Sequence, residues 1–240
     1  MKPALIFLNG YYDFRNLDFY QQEIETGMKK GATIICADGG INIFDELNKI
    51  NNIHFIPDIL IGDLDSVNDT GIKAKLIVDE WVGQTDKDYT DGQLAVKYAV
   101  DTGNCRHIVL YGGLPRPAEY ETDHFLGNLK LMRFGHYLVN DKHVDYKVEM
   151  RDPLQTIHYV LSGLRLVRKN RGLQRVSLIA EEANVVVQSS QNLRWDLASL
   201  HIHPDLTNAL RNEFVDGAEW AKLQLTENSA PVYVIHNWHD

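Results

Sequence analysis

The sequence lacks the features that mark several large classes of protein. Of its 240 residues only Cys36 and Cys105 are cysteines, and there is no Cys-x-x-Cys pair or spacing typical of a zinc site. Both thiols lie in or beside apolar runs, so we expect buried free thiols of a reducing cytoplasm. No apolar segment approaches the roughly 20 residues of a membrane span, and the start resembles no signal peptide. These absences favour a cytoplasmic protein.

Basic charge is also scarce, since 24 Lys and Arg residues face 33 Asp and Glu residues, for a formal net charge of −9. Proteins that bind nucleic acids usually carry a basic face, so this balance argues against such a partner. An acidic balance most often serves solubility alone. Part of the negative charge is nevertheless concentrated in three short clusters, where metal binding would account for it.

The common phosphate-binding loops are absent as well. The chain contains neither Gly-x-x-x-x-Gly-Lys-Ser/Thr nor Gly-x-Gly-x-x-Gly, and it has no Gly-x-Ser-x-Gly nucleophile motif. If a site here handles phosphate, we therefore expect it to act through a metal that carboxylates hold.

The first 140 residues alternate between apolar runs and helical patterns. Continuous apolar runs are typical of parallel strands that are buried on both faces. Thr90 and Gln93 form a capping-box pattern, which predicts a helix from Asp91. A further helix is expected over 123–134. We expect the helix from Asp91 to bury Leu94, Ala95, Tyr98 and Ala99. The pattern predicts an α/β domain with a parallel sheet, whose strands are expected at 4–8, 33–37, 59–61, 76–78 and 107–111.

The composition changes beyond about residue 140. Fourteen of the 17 glycines lie in the first 135 residues. The later part shows short segments of period-two alternation, which favour an all-β sandwich or barrel. We therefore predict two domains, at 1–142 and 143–240, with strands of the second expected at 144–148, 157–161, 164–167, 176–179, 185–187, 221–225 and 232–235.

Six aspartates gather in three clusters beside glycine or turn residues. Asp38 follows one predicted strand, Asp63 and Asp65 follow the next, and the third cluster is the sequence Asp-Lys-Asp-Tyr-Thr-Asp at 86–91. In parallel sheets, ligands bind at the carboxyl ends of the strands. Carboxylate oxygens at that edge suit Mg²⁺ and the phosphates that it carries. Two aspartates two residues apart reach one cation if their segment is extended.

Each cluster also has a purely structural interpretation. A strand-end Asp-x-Asp-Ser can be turn chemistry that caps the next helix. Acidic residues at a helix start are favoured by the helix dipole alone. The three clusters together, in this order along the chain, favour a metal site over either explanation.

With these motifs in place, the sequence resembles the thiamine pyrophosphokinase family. The resemblance is carried by Ala-Asp-Gly-Gly at 37–40, Pro57-Asp58 leading into Gly-Asp-Leu-Asp-Ser at 62–66, and the cluster at 86–91. It continues with Gly112-Gly113 leading to Asp123-His124, and with Leu-Arg-Trp-Asp-Leu at 193–197.

The resemblance implies an enzyme that transfers the pyrophosphoryl group of ATP to the hydroxyl of thiamine and releases AMP. It further implies Mg²⁺, a Rossmann-like α/β domain that binds ATP, and a β-sandwich that binds thiamine across the interface of a homodimer. Asp63, Asp65 and Asp91 are implied to hold the metal and to take part in catalysis, with Asp65 or Asp91 as candidate proton acceptor. Trp195 is implied to pack against thiamine, although the residue type alone fits a core aromatic of the sandwich equally well. The remaining implied binding residues are Asp38, Gly39, Gly40, Asp86, Asp88, Thr90 and Asp123.

Two departures from the family pattern leave alternatives open. The segment 114–122 is longer than the compact loop of the family, and Arg116 within it is a candidate for the arginine of that loop. Arg211-Asn212 stands where the family tends to have Ser-Asn, and an arginine disfavours a cationic acceptor nearby unless it points away. A pyrophosphokinase for another hydroxymethyl acceptor, such as a pterin, is one alternative. A non-catalytic protein that binds thiamine diphosphate or a nucleotide is the other.

Overall fold

The computed structural model describes residues 1–51, 54–68, 74–78, 89–114, 122–139 and 146–239. The chain divides into two compact units, Met1–Pro153 and Leu154–Asp240. This division falls after the boundary at residue 142 that composition predicts. The strand expected at 144–148 in the second domain is found at Lys147–Arg151, where it pairs with a strand of the first unit. No helix in the described part of the chain is long and apolar enough to cross a membrane.

The first unit is an α/β domain, as the alternating pattern predicts. Its described elements, in chain order, are β1 (Pro3–Phe7), α1 (Leu17–Lys29), β2 (Thr33–Ala37), α2 (Asn42–Asn51), β3 (Ile59–Ile61), β4 (Leu76–Val78), α3 (Asp91–Asp101), β5 (His107–Tyr111), α4 (Thr122–Val139) and β6 (Lys147–Arg151).

All pairings in this sheet are parallel, in the order β6-β5-β1-β2-β3-β4. β1 is buried along its whole length, as its continuous apolar sequence predicts. The five strands expected from the sequence are confirmed to within one residue. Both cysteines are buried free thiols, also as expected.

One predicted helical face is partly wrong. α3 does bury Ala95 and Ala99, but Leu94 and Tyr98 are only half-buried. α3 is packed against both α4 and the sheet, so its buried arc is displaced by one residue along the helix. The other two residues in that arc are Val96 and Val100.

The second unit is entirely β in its described residues. Its strands are β7 (Gln155–Val160), β8 (Gly163–Val167), β9 (Leu173–Ala180), β10 (Val185–Gln191), β11 (His201–Ile202), β12 (Asn212–Glu213), β13 (Trp220–Leu225) and β14 (Val232–His239).

These strands form two antiparallel layers, β12-β9-β14-β7 and β11-β10-β13-β8. Val176 and Val234 from one layer share a buried apolar cluster with Val187 and Leu223 from the other. Alternating inward apolar side chains thus close the sandwich that the period-two pattern predicts.

Candidate active site

Two neighbouring strands deliver the first carboxylates to one edge of the parallel sheet. β2 pairs with β3 so that Ala37 lies opposite Ile61, the last residue of each strand. Asp38 follows Ala37 directly, and Asp63 follows Ile61 after Gly62. The shared register therefore places both aspartates beyond the carboxyl ends of the strands, as the sequence predicts.

A third carboxylate comes from the start of α3. Asp38, Asp63 and Asp91 each offer an oxygen, and these oxygens lie within 4.8 Å of one another. Asp38 is buried, Asp91 is half-buried and Asp63 is exposed. The site is therefore open to solvent on the side of Asp63 and closed on the side of Asp38.

The charges in this cluster repel one another. Burial, together with the neighbouring carboxylates of Asp38, Asp63 and Asp65, raises the pKa of Asp91 to about 6. Within the described part of the chain, none of the three clustered carboxylates forms an ion pair with Lys, Arg or His. A bound cation would relieve this repulsion.

The donor set fits Mg²⁺. Mg²⁺ prefers oxygen ligands and is usually bound by one or two carboxylates together with the phosphates of a substrate. The cluster supplies three carboxylates and no nitrogen or sulfur ligand.

Backbone geometry lets the carboxylates approach so closely. Gly62 has φ 136°, and a Cβ added there would lie 3.1 Å from Cβ of Asp38 and 3.2 Å from Cγ of Asp91. Asp38 itself has φ 46°, a left-handed conformation that is uncommon for a residue other than glycine. Such strain concentrates at functional sites, where the surrounding structure maintains it.

Asp65 has a different position from the one that an extended segment would give it. Leu64 turns the chain with φ 64°, so Asp63 and Asp65 are not related as neighbours on an extended strand. The Asp65 carboxylate accepts a hydrogen bond of 2.9 Å from Oγ of Ser66. The close set of three carboxylates therefore consists of Asp38, Asp63 and Asp91, and Asp65 contributes negative charge near Asp91.

Asn9 is a site residue that sequence reasoning missed. It follows β1, and its side-chain amide donates a hydrogen bond of 3.3 Å to Oδ2 of Asp38. The backbone N–H of Ser66 donates to the other Asp38 oxygen at 3.4 Å. The available signal was a polar residue just after β1, since β1 pairs in parallel with β2 and both strands end at the same edge of the sheet.

Gly39 and Gly40 allow the chain after Asp38 to pack against the end of β1. A Cβ at Gly39 would lie 2.5 Å from Oδ1 of Asn9, and one at Gly40 would lie 2.0 Å from the carbonyl oxygen of Phe7. Both glycines are buried. Gly39 and Gly40 therefore serve close packing around Asp38.

Thr90 caps α3. Its Oγ1 accepts a hydrogen bond of 3.3 Å from the N–H of Gln93, and Oε1 of Gln93 accepts one of 3.0 Å from the N–H of Thr90. This confirms the predicted capping box. The cap fixes the first residue of α3, which is Asp91.

Other residues that the sequence singles out have varied surroundings. Asp58 is structural, since its carboxylate accepts from the N–H of Ile34 at 2.9 Å and from Nζ of Lys75 at 2.6 Å. Asp123 is exposed in the first turn of α4. Asp86, Asp88 and Arg116 lie outside the described residues.

In the second unit, Trp195 lies in the segment after β10 with 52% of its surface exposed. Arg211 precedes β12 with φ 59°, and its N–H donates to Oγ of Ser177 at 2.9 Å. The buried apolar cluster of the sandwich does not include Trp195, so its ring is free to contact a flat ligand.

Part of the sequence matches the model of a known protein family. Residues 24–139 match the model of the thiamin pyrophosphokinase catalytic domain. This segment contains Asp38, Asp63 and Asp91. No curated relative matches the sequence.

Solved structures share the fold over the full chain. A Bacillus subtilis thiamine pyrophosphokinase superimposes with a TM-score of 0.70 at 18% identity, covering 100% of both chains. The yeast enzyme gives a TM-score of 0.69 at 15% identity over 99% of this chain and 86% of the other. The Candida albicans enzyme gives 0.68 at 15% identity over 99% and 89%.

Proposed function

We propose that this chain, which belongs to the thiamin pyrophosphokinase family through the catalytic domain at residues 24–139, transfers the pyrophosphoryl group of ATP to the hydroxyl of thiamine. The observation that carries the proposal is the cluster of Asp38, Asp63 and Asp91, with carboxylate oxygens within 4.8 Å of one another. The products are then thiamine diphosphate and AMP.

In this proposal Asp38, Asp63 and Asp91 hold Mg²⁺ together with the phosphates of ATP. When bound, the ion neutralises the phosphate oxygens and aligns the reacting groups. Asn9 and the N–H of Ser66 keep the buried Asp38 carboxylate turned toward the cluster. Thr90 caps α3 and so orients Asp91.

Asp65 is our candidate for accepting the proton of the acceptor hydroxyl. Asp65 lies outside the close set of three and is exposed. Its carboxylate is near enough to Asp91 to raise the pKa of Asp91. A carboxylate that is not occupied by metal remains available as a general base. Its hydrogen bond from Ser66 fixes the direction of the carboxylate.

For the acceptor we propose a site at Trp195, whose exposed indole offers a flat apolar face. Thiamine carries two aromatic rings, one of them cationic, and cations are attracted to the face of an indole. We further propose that the enzyme is a cytoplasmic homodimer, as the family resemblance implies.

Product analysis tests the proposal directly. Protein, ATP and Mg²⁺ are incubated with and without thiamine, and nucleotides and thiamine esters are separated by chromatography. We expect AMP and thiamine diphosphate to appear in equal amounts, and only when thiamine is present. ADP in place of AMP would mean phosphoryl transfer and would contradict the proposal.

An acceptor panel separates the alternatives. If hydroxymethylpterin supports AMP release and thiamine does not, the enzyme is a pyrophosphokinase for another acceptor. If thiamine diphosphate or ATP binds in calorimetry but no acceptor supports turnover, the protein is a binding protein. Asp63→Asn is the negative control in the turnover assay and in calorimetry. It removes one clustered carboxylate at an exposed position and leaves the packing of the domain unchanged.

A further inference from the structure

The backbone of Trp195 is held at both of its polar groups by a single side chain. Its N–H donates to Oδ1 of Asn212 at 3.1 Å, and its carbonyl oxygen accepts from Nδ2 of Asn212 at 2.7 Å. Asn212 is only 4% exposed. A buried amide with both functions satisfied in this way gives the tryptophan a defined backbone orientation.

The residues on either side of Trp195 are held as well. Leu193 forms a bridge with Phe214, and the N–H of Arg194 donates to the carbonyl oxygen of Glu213 at 2.8 Å. After the tryptophan, Oδ1 of Asp196 accepts from Oγ of Ser190 at 2.7 Å and from the N–H of Ala198 at 3.0 Å. The segment is therefore anchored before and after an exposed aromatic ring.

The indole itself is contacted by Arg194. The guanidinium carbon lies 5.0 Å from the ring centroid, within the range of a cation–π interaction. Nη1 of Arg194 also lies 2.9 Å from Oε2 of Glu213. The ion pair fixes the guanidinium over one part of the ring, and the carboxylate balances its charge.

This arrangement orders a side chain that has no packing role of its own in the sandwich core. Fixing an exposed ring and a long arginine in one geometry costs conformational entropy. Rigid aromatic groups, however, lose less entropy when they bind a ligand, so pre-ordering favours binding.

We propose that Arg194, Glu213 and Asn212 are positioning residues that hold the Trp195 indole in one orientation as the contact surface for the acceptor ring. The proposal rests on the proposed function, since it assigns these residues to the acceptor side of that reaction. Asn212 sets the backbone, and Arg194 with Glu213 sets the ring. Glu213 also keeps the surroundings of the indole from carrying a net positive charge that would repel a cationic acceptor.

The chain contains a matched control. Arg165 on β8 has its guanidinium carbon 4.8 Å from the ring centroid of Trp220 on β13, in the same unit. Its geometry is that of an ordinary surface pair of the same chemistry. Replacing it removes one cation–π contact without altering Trp195.

The first test is steady-state kinetics of Arg194→Met, which keeps the length of the side chain and removes its charge. We expect KM for thiamine to rise about 2- to 5-fold, as the loss of one exposed cation–π contact predicts. The values of kcat and of KM for ATP should stay within about twofold. The reason is that a residue that only positions the acceptor contact affects binding of the acceptor equally in the ground state and in the transition state. Arg165→Met should change none of these constants.

Glu213→Gln tests the charge balance. It keeps a hydrogen-bonding side chain and leaves the guanidinium without its counter-ion. We expect KM to rise about twofold or more for cationic thiamine, with a smaller rise for an isosteric analogue whose five-membered ring is uncharged. An equal rise for both acceptors would contradict the electrostatic part of the proposal.

A spectroscopic test is independent of catalysis. The chain has four tryptophans, so 5-fluorotryptophan gives a small ¹⁹F spectrum in which Trp195→Phe assigns one resonance. We expect Arg194→Met and Asn212→Asp to shift or broaden that resonance, while Arg165→Met leaves it in place. If Arg194→Met and Asn212→Asp leave both the resonance and KM for thiamine unchanged, the proposal is overturned.

Failure of the proposed function would be distinguishable from failure of this inference. If the wild-type protein produces no thiamine-dependent AMP, the proposed reaction is wrong, and the role of the three residues in orienting Trp195 is decided by the ¹⁹F resonance alone. An unchanged resonance in Arg194→Met and Asn212→Asp then overturns the orientation as well.

Discussion

At the scale of single residues, Asp63 is the best position for testing the cluster. It is exposed, so its replacement removes no packing, and its carboxylate lies within 4.8 Å of those of Asp38 and Asp91. We expect Asp63→Asn to lower the rate of AMP release by about 10²- to 10³-fold, as the loss of a preorganised charge typically does. Thermal unfolding by circular dichroism should remain close to wild type.

The control for this substitution is Asp216→Asn, which neutralises an exposed carboxylate in the second unit. It should leave the rate unchanged. Near wild-type activity in Asp63→Asn would show that the assigned metal ligands are wrong.

Gly62 is the second informative residue, because its missing Cβ lets Asp38 and Asp91 meet. Gly62→Ala introduces a Cβ about 3.1 Å from that of Asp38, at a backbone φ of 136°. We expect a stability loss of more than about 1 kcal/mol together with a large loss of activity. Urea unfolding and initial rates measure the two effects.

Gly31→Ala separates strain from crowding. Gly31 also has a positive φ, of 69°, but a Cβ there would have no atom within 4 Å. Its substitution should cost about 1 kcal/mol of stability and no activity. If the two variants behave alike, the close approach at Gly62 has no functional role.

At the scale of elements, the start of α3 links secondary structure to the site. The capping box of Thr90 and Gln93 satisfies free N–H groups of the first turn, and Asp91 is the first residue of that turn. We expect Thr90→Ala to lower the free energy of unfolding by about 1 kcal/mol and to reduce turnover, while Thr90→Ser preserves both. Chemical denaturation and kcat for AMP release are the measurements.

Gln93→Ala distinguishes the two parts of the capping box. It removes the side chain that accepts from the N–H of Thr90 and leaves the Thr90 hydroxyl in place. A smaller loss of stability than in Thr90→Ala, with turnover retained, would indicate that the Thr90 hydroxyl has the larger role. Equal loss of turnover would indicate that cap geometry alone positions Asp91.

At the scale of the whole molecule, acid should destabilise the protein through a buried histidine in the second unit. Burial lowers the pKa of His236 to about 3, and the nearby groups of His158, Lys169 and Arg168 act in the same direction. Its ring is 1% exposed, lies 5.2 Å from that of Phe214 in a stacked geometry, and has Nε2 3.0 Å from Oε1 of Gln174.

The direction of the pH effect follows from this lowered pKa. An unfolded histidine takes up a proton near pH 6.5, whereas the folded one stays neutral until about pH 3. The stabilisation is therefore complete above pH 6.5 and is lost as the pH falls toward 3. His236 is therefore expected to contribute a slope of at most about 1.4 kcal/mol per pH unit to the free energy of unfolding between pH 6.5 and pH 3.

Urea unfolding between pH 7 and pH 4 measures this slope. His236→Gln cannot titrate in this range, so its unfolding free energy should depend less on pH even if it is less stable throughout. His203→Gln, at an exposed position, should keep the wild-type slope. Equal slopes in wild type and His236→Gln would contradict the assignment.

The sequence by itself determined the elements and the edge where the site lies. Short continuous apolar runs bounded by turn residues identify strands such as β1 and β2, since strands that are buried on both faces need them. Alternation identifies the second unit, and the Thr90–Gln93 pattern identifies the start of α3. Because parallel strands end at one edge, the positions of Asp38 and Asp63 after their strands were enough to bring them together.

The tertiary structure decided which groups meet. Asp38 replaces Asp65 in the close set because Leu64 turns the chain with a positive φ, which no pattern of residue types reveals. Asn9 reaches Asp38, and Asn212 reaches Trp195, across separations of 29 and 17 residues. Such contacts depend on strand register and on side-chain direction rather than on local preference. Sequence periodicity reports which face of an element is buried, whereas these pairings exist only once the elements have packed.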